Sequence, residues 1–451
     1  MYKKNPYIDD VSVSEGEIWY YKAFPYNTNG KYLNSDLNEI SIKITNATVY
    51  GFSLDQSESD PASMITYLDT CDNANFTPAY MNFVDDVFEY GSWTVENGAW
   101  FMDVKPCLLK SSGEIDCYLD PNDYTKDIDG NSVTITDGNY DGSVMVEIPL
   151  VYYKVVNIDD DITEFYFSNK KVDDDYVCWS HIDCQGNTIP YCYISAYDAS
   201  LTNNKLKSIS GLAHSTSSTD YSTSTLYINN DITNPIWHIE TYSDRILMTY
   251  LIMLIGRNTN TQETFGNGYT GNSVTDYKIA GTYNTKGLFY GVNNNNESVK
   301  LFGIENLWGN HYYKVAGVYL DENKLHVKMT YDTTDGSSQN GYSSTGDGYI
   351  CIENEHTVGF GGVFITKMHF SNYGFYPVIG DGTATTYFCD AYKRGNGAHY
   401  CYGGLNNNGG SNNGTFSQCY YYGYACNCYS GARISCRPLL STFDNHPSVA
   451  V

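Results

Sequence analysis

Only one stretch of this chain is apolar on nearly every face: "ILMTYLIMLIG", Ile246 to Gly256. It follows Ser243 and Asp244, residue types that cap helix N-termini by accepting hydrogen bonds from exposed backbone N–H groups. It is far shorter than the roughly 20 residues that cross a bilayer as a helix, so no membrane insertion is expected. The stretch predicts one helix buried all round, with a central strand as the alternative reading of a short apolar run.

Most of the remaining sequence reads as short strands and turns, and the fold class expected is α+β and β-rich. "EGEIWYYKAFPYN", Glu15 to Asn27, alternates weakly, as the last strand of a small β module would. In "KPCLLKSSGEIDCYLDPNDY" the Ser111 to Gly113 turn is expected to close a hairpin between "CLLK" and "EIDCYL". "VMVEIPLVYYKVV", Val144 to Val156, is a strong strand candidate in which Pro149 implies an edge or a bend. "IPYCYISAYDAS", Ile189 to Ser200, is another strand. The chain is expected to divide into an N-terminal β remnant or attachment segment (1–45), a β-rich module (46–140), a large domain (141–440) and a tail (441–451), the boundary at 140 being implied by the resemblance given below.

Composition narrows the function. The chain has 451 residues, 45 of them Tyr, and a net charge of −26, which repels phosphate backbones and argues against a nucleic-acid partner. "MYKKNPYIDD" has no apolar run behind its lysines, so no signal peptide is expected. None of the nine His sits in a metal-binding spacing, and no G-x-S-x-G elbow occurs. "GFGG" at Gly359 lacks the Lys and Ser/Thr of a phosphate loop and reads as a tight turn. The acidic knots at Asp159 and Asp173 lack the spaced carboxylates and turn glycine of a calcium loop. No catalytic residue, metal or cofactor is expected.

The 13 Cys are an odd number, and six (Cys389, Cys401, Cys419, Cys426, Cys428, Cys436) lie in the last seventh of the chain. A disulfide scaffold or a zinc site would space them in pairs. Cys426 and Cys428 make only a C-x-C.

Three stretches carry a resemblance: "MLIGRNTNTQETFGNGYTG" (Met253 to Gly271), "GTYNTKGLFYG" (Gly281 to Gly291) and "LFGIENLWGNHYYKVAGVYL" (Leu301 to Leu320). In this order they resemble the framework of phage tail-fibre and receptor-binding proteins. Those proteins carry a C-type-lectin fold of the formylglycine-generating-enzyme-like branch. "ENLWGN" (Glu305 to Asn310) and "GARISCRP" (Gly431 to Pro438) stand where that branch places its "GNVWEW"-like and "GFRLA"-like segments. The resemblance covers about residues 140–440. It implies a C-type-lectin fold at the C-terminus preceded by small β modules. The copper-binding Cys pair of the enzyme members has no counterpart placed here, so the resemblance implies a binding scaffold and not an enzyme.

Some members of this family are targets of diversity-generating retroelements, which rewrite adenines near the 3′ end of the gene. Asn codons altered at adenines yield Tyr, Cys, Ser, Gly, Asp, His, Phe, Leu and Thr, among others, but not Glu, Lys, Gln, Met or Trp. From Tyr387 to Tyr429 there are nine Tyr and five Cys, and only Lys393 and Gln418 fall outside the accessible set. The last Glu, Met and Trp are Glu355, Met368 and Trp308. A variable region at about 385–438 is therefore expected, with Cys as a by-product of codon chemistry.

Tyr supplies rigid contact area at low entropy cost, and Ser, Gly and Asn supply adaptable hydrogen bonds. The expected ligand-binding face comprises Tyr387, Asp390, Tyr392, His399, Tyr400, Tyr402, Asn406, Asn407, Asn408, Tyr420, Tyr422, Tyr424, Asn427 and Tyr429. Tyr420, Tyr422 and Tyr424 would share one face of a strand. Between Thr385 and Leu440 four basic residues stand against Asp390, and Arg433 and Arg437 are expected to anchor the framework. The partners implied are a host-surface receptor (glycan or protein), other tail proteins and further copies of the chain, a trimer being common for such tips. The place implied is the virion tail. A cellular adhesin with the same domain is the alternative, and an oxidase of the formylglycine-generating type is a second.

Overall fold

The computed structural model describes the backbone of residues 18–22, 39–43, 47–214, 236–270, 277–310, 312–321, 324–329, 350–352, 361–394, 399–403, 414–421 and 430–446. The chain is β-rich. Strands Ile18–Lys22 and Glu39–Lys43 pair antiparallel near the N-terminus. Three larger sheets carry most of the rest.

The first sheet has the order Trp237–Ile239, Ile434–Cys436, Tyr191–Ser195, Gly142–Pro149, Lys105–Lys110, Ile115–Asp120, Asp123–Asp127. Strand Gly142–Pro149 is buried at every residue, as a central strand covered on both faces must be. The predicted hairpin closes as expected. Gly113 takes φ 85 and donates its N–H to Lys110 O at 2.9 Å, a left-handed conformation that glycine adopts without strain.

Pro149 lies at the end of that central strand, paired with Tyr191. Beyond it the chain bends into the second sheet, ordered Tyr152–Asn157, Ile162–Ser168, Val49–Asp55, Ile65–Tyr67. Of the two readings of Pro149, the bend is the one realised.

The third sheet has the order Ile350–Ile352, Lys324–Val327, Tyr312–Asp321, His399–Gly403, Gln418–Tyr421, Ala391–Arg394, Gly361–Phe364, and Ser430–Ala432 runs parallel beside Tyr312–Asp321. Gly361 and Gly362 of the "GFGG" segment open a strand instead of a turn, while Gly359 and Phe360 lie outside the described residues.

The apolar stretch is a helix, α1 (Tyr242–Gly256), with all 15 residues buried. It starts four residues before Ile246, and its cap is Thr241, not Ser243. Thr241 Oγ1 accepts from Asp244 N at 3.3 Å, and Asp244 Oδ2 accepts from Thr241 N at 3.1 Å. This reciprocal pair is a capping box. The short helix α2 (Thr261–Phe265) follows at once.

One apolar cluster surrounds α1 and runs from Tyr50 and Phe52, through Val144 and Ile148, to Phe388 and Phe416. This corrects the expected boundary at 140. Lys105–Lys110 pairs with Gly142–Pro149, and Val49–Asp55 pairs with Ile162–Ser168, so residues on both sides of 140 share sheets and core. The expected tail at 441 is likewise part of the body. Leu440–Asn445 forms a short 3-10 helix, and His446 Nε2 reaches Glu147 Oε2 at 2.8 Å, where Tyr193 also donates at 2.9 Å.

Candidate binding surface

The scaffold under the Tyr-rich segment is held by two buried arginines. Arg433 donates from Nη1 to Ser195 O at 2.9 Å, and from Nη2 to Asp198 Oδ1 at 3.0 Å and Glu305 O at 2.6 Å. Asp198 Oδ2 accepts from the side-chain amides of Asn306 and Asn310, both at 2.9 Å. "ENLWGN" and "GARISC" are thus tied together through one carboxylate. Asn306 and Asn310 both hold φ 61, a conformation Asn tolerates better than most residues.

Beside this knot, Glu305 accepts from Gly281 N and Tyr283 N at 3.0 Å. Burial pushes its carboxyl up to about 7. Lys300 donates to Tyr283 O at 3.0 Å, and burial pulls it down to about 8. Arg437 donates to Thr241 Oγ1, Ser243 Oγ and Asp244 Oδ1 at 2.7, 2.9 and 3.1 Å, which ties the C-terminal strand to the cap of α1. The expected anchoring role of both arginines holds.

A second knot sits at the start of the segment. Asp390 is fully buried. Its Oδ1 accepts from Gln262 Nε2 at 2.8 Å and Gly414 N at 2.5 Å, and its Oδ2 accepts from Phe416 N at 2.8 Å. Burial nonetheless pushes its carboxyl up to about 7, against the lowering by those N–H donors. Thr261 Oγ1 accepts from Thr415 N at 3.2 Å, and Thr415 meets Thr249 of α1 at 3.0 Å. Gly414 has no room for a side chain, because a Cβ there would lie 2.2 Å from Thr261 Oγ1. Tyr387 and Cys389 both adopt φ 57, and Thr259 Oγ1 holds Tyr387 O at 2.6 Å.

These contacts correct part of the expected face. Asp390 is buried among its donors, and Tyr392 is equally buried, so neither presents a side chain to a ligand. Tyr387 is half-buried. Gln418, one of the two residues outside the adenine-accessible set, is also buried, with Nε2 donating to Phe375 O at 3.2 Å.

Strands carrying the other described candidates lie side by side in the third sheet. Tyr400 pairs with Tyr421, Cys401 with Tyr420 and Tyr402 with Cys419, all antiparallel. Tyr392 pairs with Gln418 and Arg394 with Tyr420 in parallel. His399 and Tyr400 face Leu320 and Tyr319 across a register shift. Asn406, Asn407, Asn408, Tyr422, Tyr424, Asn427 and Tyr429 lie outside the described residues. Sequence reasoning missed Gln262, Thr261 and Thr249 as supports, since a polar side chain aimed into a distant turn leaves no local pattern.

Among the described residues, no group of three or more His, Cys, Asp or Glu is placed to hold a metal ion. No described helix is long and apolar enough to cross a membrane. Cys71, Cys107, Cys117, Cys178, Cys184, Cys192, Cys389 and Cys436 are free thiols. Burial raises the thiols of Cys107, Cys192 and Cys436 far above their usual range, which disfavours the thiolate that metal binding needs. A comparison with protein-family models found no match, and a search of curated proteins found none either.

Proposed function

We propose that this chain is a receptor-binding protein of a phage or prophage tail, with a C-type-lectin fold that displays a diversified surface for adsorption to a host cell. One observation carries the reading. The strands bearing Tyr400, Tyr402 and Tyr420 are neighbours in a single sheet, while the residues that bracket them, Asp390, Phe416, Arg433 and Arg437, are buried in hydrogen-bonded knots. A surface that changes by mutation needs that separation, since display positions vary safely only where the framework does not depend on them.

The face is accordingly reduced from the one expected. Asp390 and Tyr392 belong to the framework. The display positions are His399, Tyr400, Tyr402, Asn406, Asn407, Asn408, Tyr420, Tyr422, Tyr424, Asn427 and Tyr429, with Tyr387 at the margin. Weak single-site binding would be multiplied by several copies on one tail, because tethered sites act at high effective concentration.

The test is to sequence the DNA around the gene. A nearby near-repeat of the codons for about residues 385–438, differing only at template adenines and accompanied by a reverse-transcriptase frame, is expected. A missing repeat, or mismatches over all four bases, removes the diversification claim. Purified chain is further expected to slow adsorption of the parent phage to its host, and unchanged adsorption at saturating chain would remove the receptor-binding claim.

A further inference from the structure

We propose that the tip of the hairpin formed by Lys367–Ser371 and Gly374–Ile379 is a built-in plug. Its key residue is Asn372, and it closes the outer edge of the second sheet against strand pairing with a second copy of the chain. No residue of the plug falls within 385–438, so it stands or falls independently of the diversified surface.

Tyr152–Asn157 is the outermost strand of that sheet on one side. Its inner side pairs with Ile162–Ser168. On its outer side the groups are met one at a time. Tyr153 N donates to Val177 O at 2.8 Å, and Tyr153 O accepts from Val177 N at 2.9 Å. Val155 N donates to Asn372 Oδ1 at 2.8 Å. Asn157 Nδ2 donates to Phe370 O at 3.2 Å.

A carboxamide carries the same donor and acceptor as a peptide group, and Asn372 uses both. While Oδ1 takes the Val155 N–H, Nδ2 donates to Asp175 O at 2.9 Å. The tip itself is pinned, because Asn372 O accepts from Tyr153 Oη at 3.1 Å and Trp179 Nε1 at 3.0 Å. Lys367 Nζ meets Asp161 Oδ1 at 2.7 Å and holds the base of the hairpin.

What the plug excludes follows from the strand it covers. "YYKVVN" is rich in aromatic and β-branched residues, which suit strands. Edge strands are ordinarily protected by Pro, by a bulge or by a free Lys. This one has no Pro and pairs with its neighbour without a register shift. Its single Lys, Lys154, is drawn into ion pairs with Asp173 at 3.1 Å and Asp175 at 3.3 Å. Protection therefore falls to the side chain of Asn372. The group that replaces a carboxamide most closely is the peptide of another extended strand, and a second copy offers the same strand about a two-fold axis.

The experiment compares full-length variants that delete one hydrogen bond from its two ends. Asn372→Ala removes the acceptor and uncovers an edge able to pair. Val155→Pro removes the donor and leaves an edge that cannot pair there. A merely structural bond predicts the same behaviour for both. In sedimentation velocity, Asn372→Ala is expected to form a species larger than the parent, in a share that rises with concentration. Val155→Pro and the double variant are expected to sediment as the parent does. At low concentration, amide exchange at Val155 should speed up about 10-fold in Asn372→Ala, while Lys154 and Val156 change little. The proposal is overturned if Asn372→Ala sediments as the parent does, or if Val155→Pro associates equally. It is also overturned if the double variant still associates, as a variant that had simply lost its fold would, or if exchange at Val155 is unchanged.

Discussion

Asp390 shows how a single side chain can be misassigned from sequence. Asp is an adenine-accessible residue within a Tyr-rich stretch, and the same carboxylate proves to be the acceptor for three donors in two distant segments. Asp390→Ala would strand those donors in the interior, at about 1–3 kcal/mol for each group left unsatisfied. The expected result is a clear drop in the urea midpoint, while Asp390→Asn, which keeps one acceptor oxygen, loses less. An Ala variant as stable as the parent would place Asp390 back on the display face.

Protonation supplies a second residue-scale prediction. Burial pulls His181 and His238 down to about 4, against about 6.5 in an unfolded chain. Both are neutral in the fold, and the unfolded chain takes up their protons first as pH falls. Their contribution is full above about pH 6.5 and is lost between there and pH 4. Asp390 and Glu305 act in the opposite sense, because their raised values favour proton uptake by the fold between pH 7 and 4. The whole-protein pH profile therefore mixes the two. Comparison with His181→Gln isolates one, since Gln can still donate to Ile148 O, which His181 Nε2 meets at 3.2 Å. The parent should lose about 3 kcal/mol relative to the variant between pH 7 and 4, and parallel pH profiles would refute this.

At the scale of elements, α1 depends on both its cap and its neighbour. Thr241→Ala removes one half of the capping box and should cost about 1 kcal/mol. Gly374→Ala should cost more, about 3 kcal/mol. Its φ is 128, and a Cβ would stand 2.4 Å from Tyr242 Cε1. The Tyr242 ring has little freedom to retreat, because its hydroxyl donates to Phe375 O at 2.6 Å and accepts from Phe375 N at 3.1 Å. Thermal or chemical melts of the two variants should rank in that order, and the reverse ranking would mean that the strand pair Lys367–Ser371 and Gly374–Ile379 yields more easily than its contacts imply.

For the whole molecule, the decisive feature is that strands from either side of residue 140 build common sheets. A chain beginning at residue 141 would lack Lys105–Lys110, the partner of the central strand Gly142–Pro149, and Val49–Asp55, the partner of Ile162–Ser168. It would expose two unpaired edges and part of the apolar cluster, an arrangement prone to aggregation. Such a fragment is expected to be insoluble or to unfold without a cooperative transition. A soluble fragment with a sharp transition would restore the two-module view.

Local patterns alone pointed to the buried helix, with a strand as its alternative, to the hairpin at Ser111–Gly113 and to the anchoring of Arg433 and Arg437, and they narrowed Pro149 to an edge or a bend. The helix, the hairpin and the reading of Pro149 rest on a signal confined to a few neighbouring residues: an unbroken apolar run, a turn tripeptide, or a missing N–H. Tertiary structure decided which carboxylate is framework and which tyrosine is buried. It also decided that 46–140 and 141–440 share one core, and that Thr241 instead of Ser243 caps α1. The reason is physical. Burial and hydrogen-bond partnership at Asp390, Tyr392 and Gln418 are set by residues more than a hundred positions away in the case of Gln262, and by parallel strand pairing in the case of Gln418 and Tyr392, and neither leaves a periodic trace in the chain.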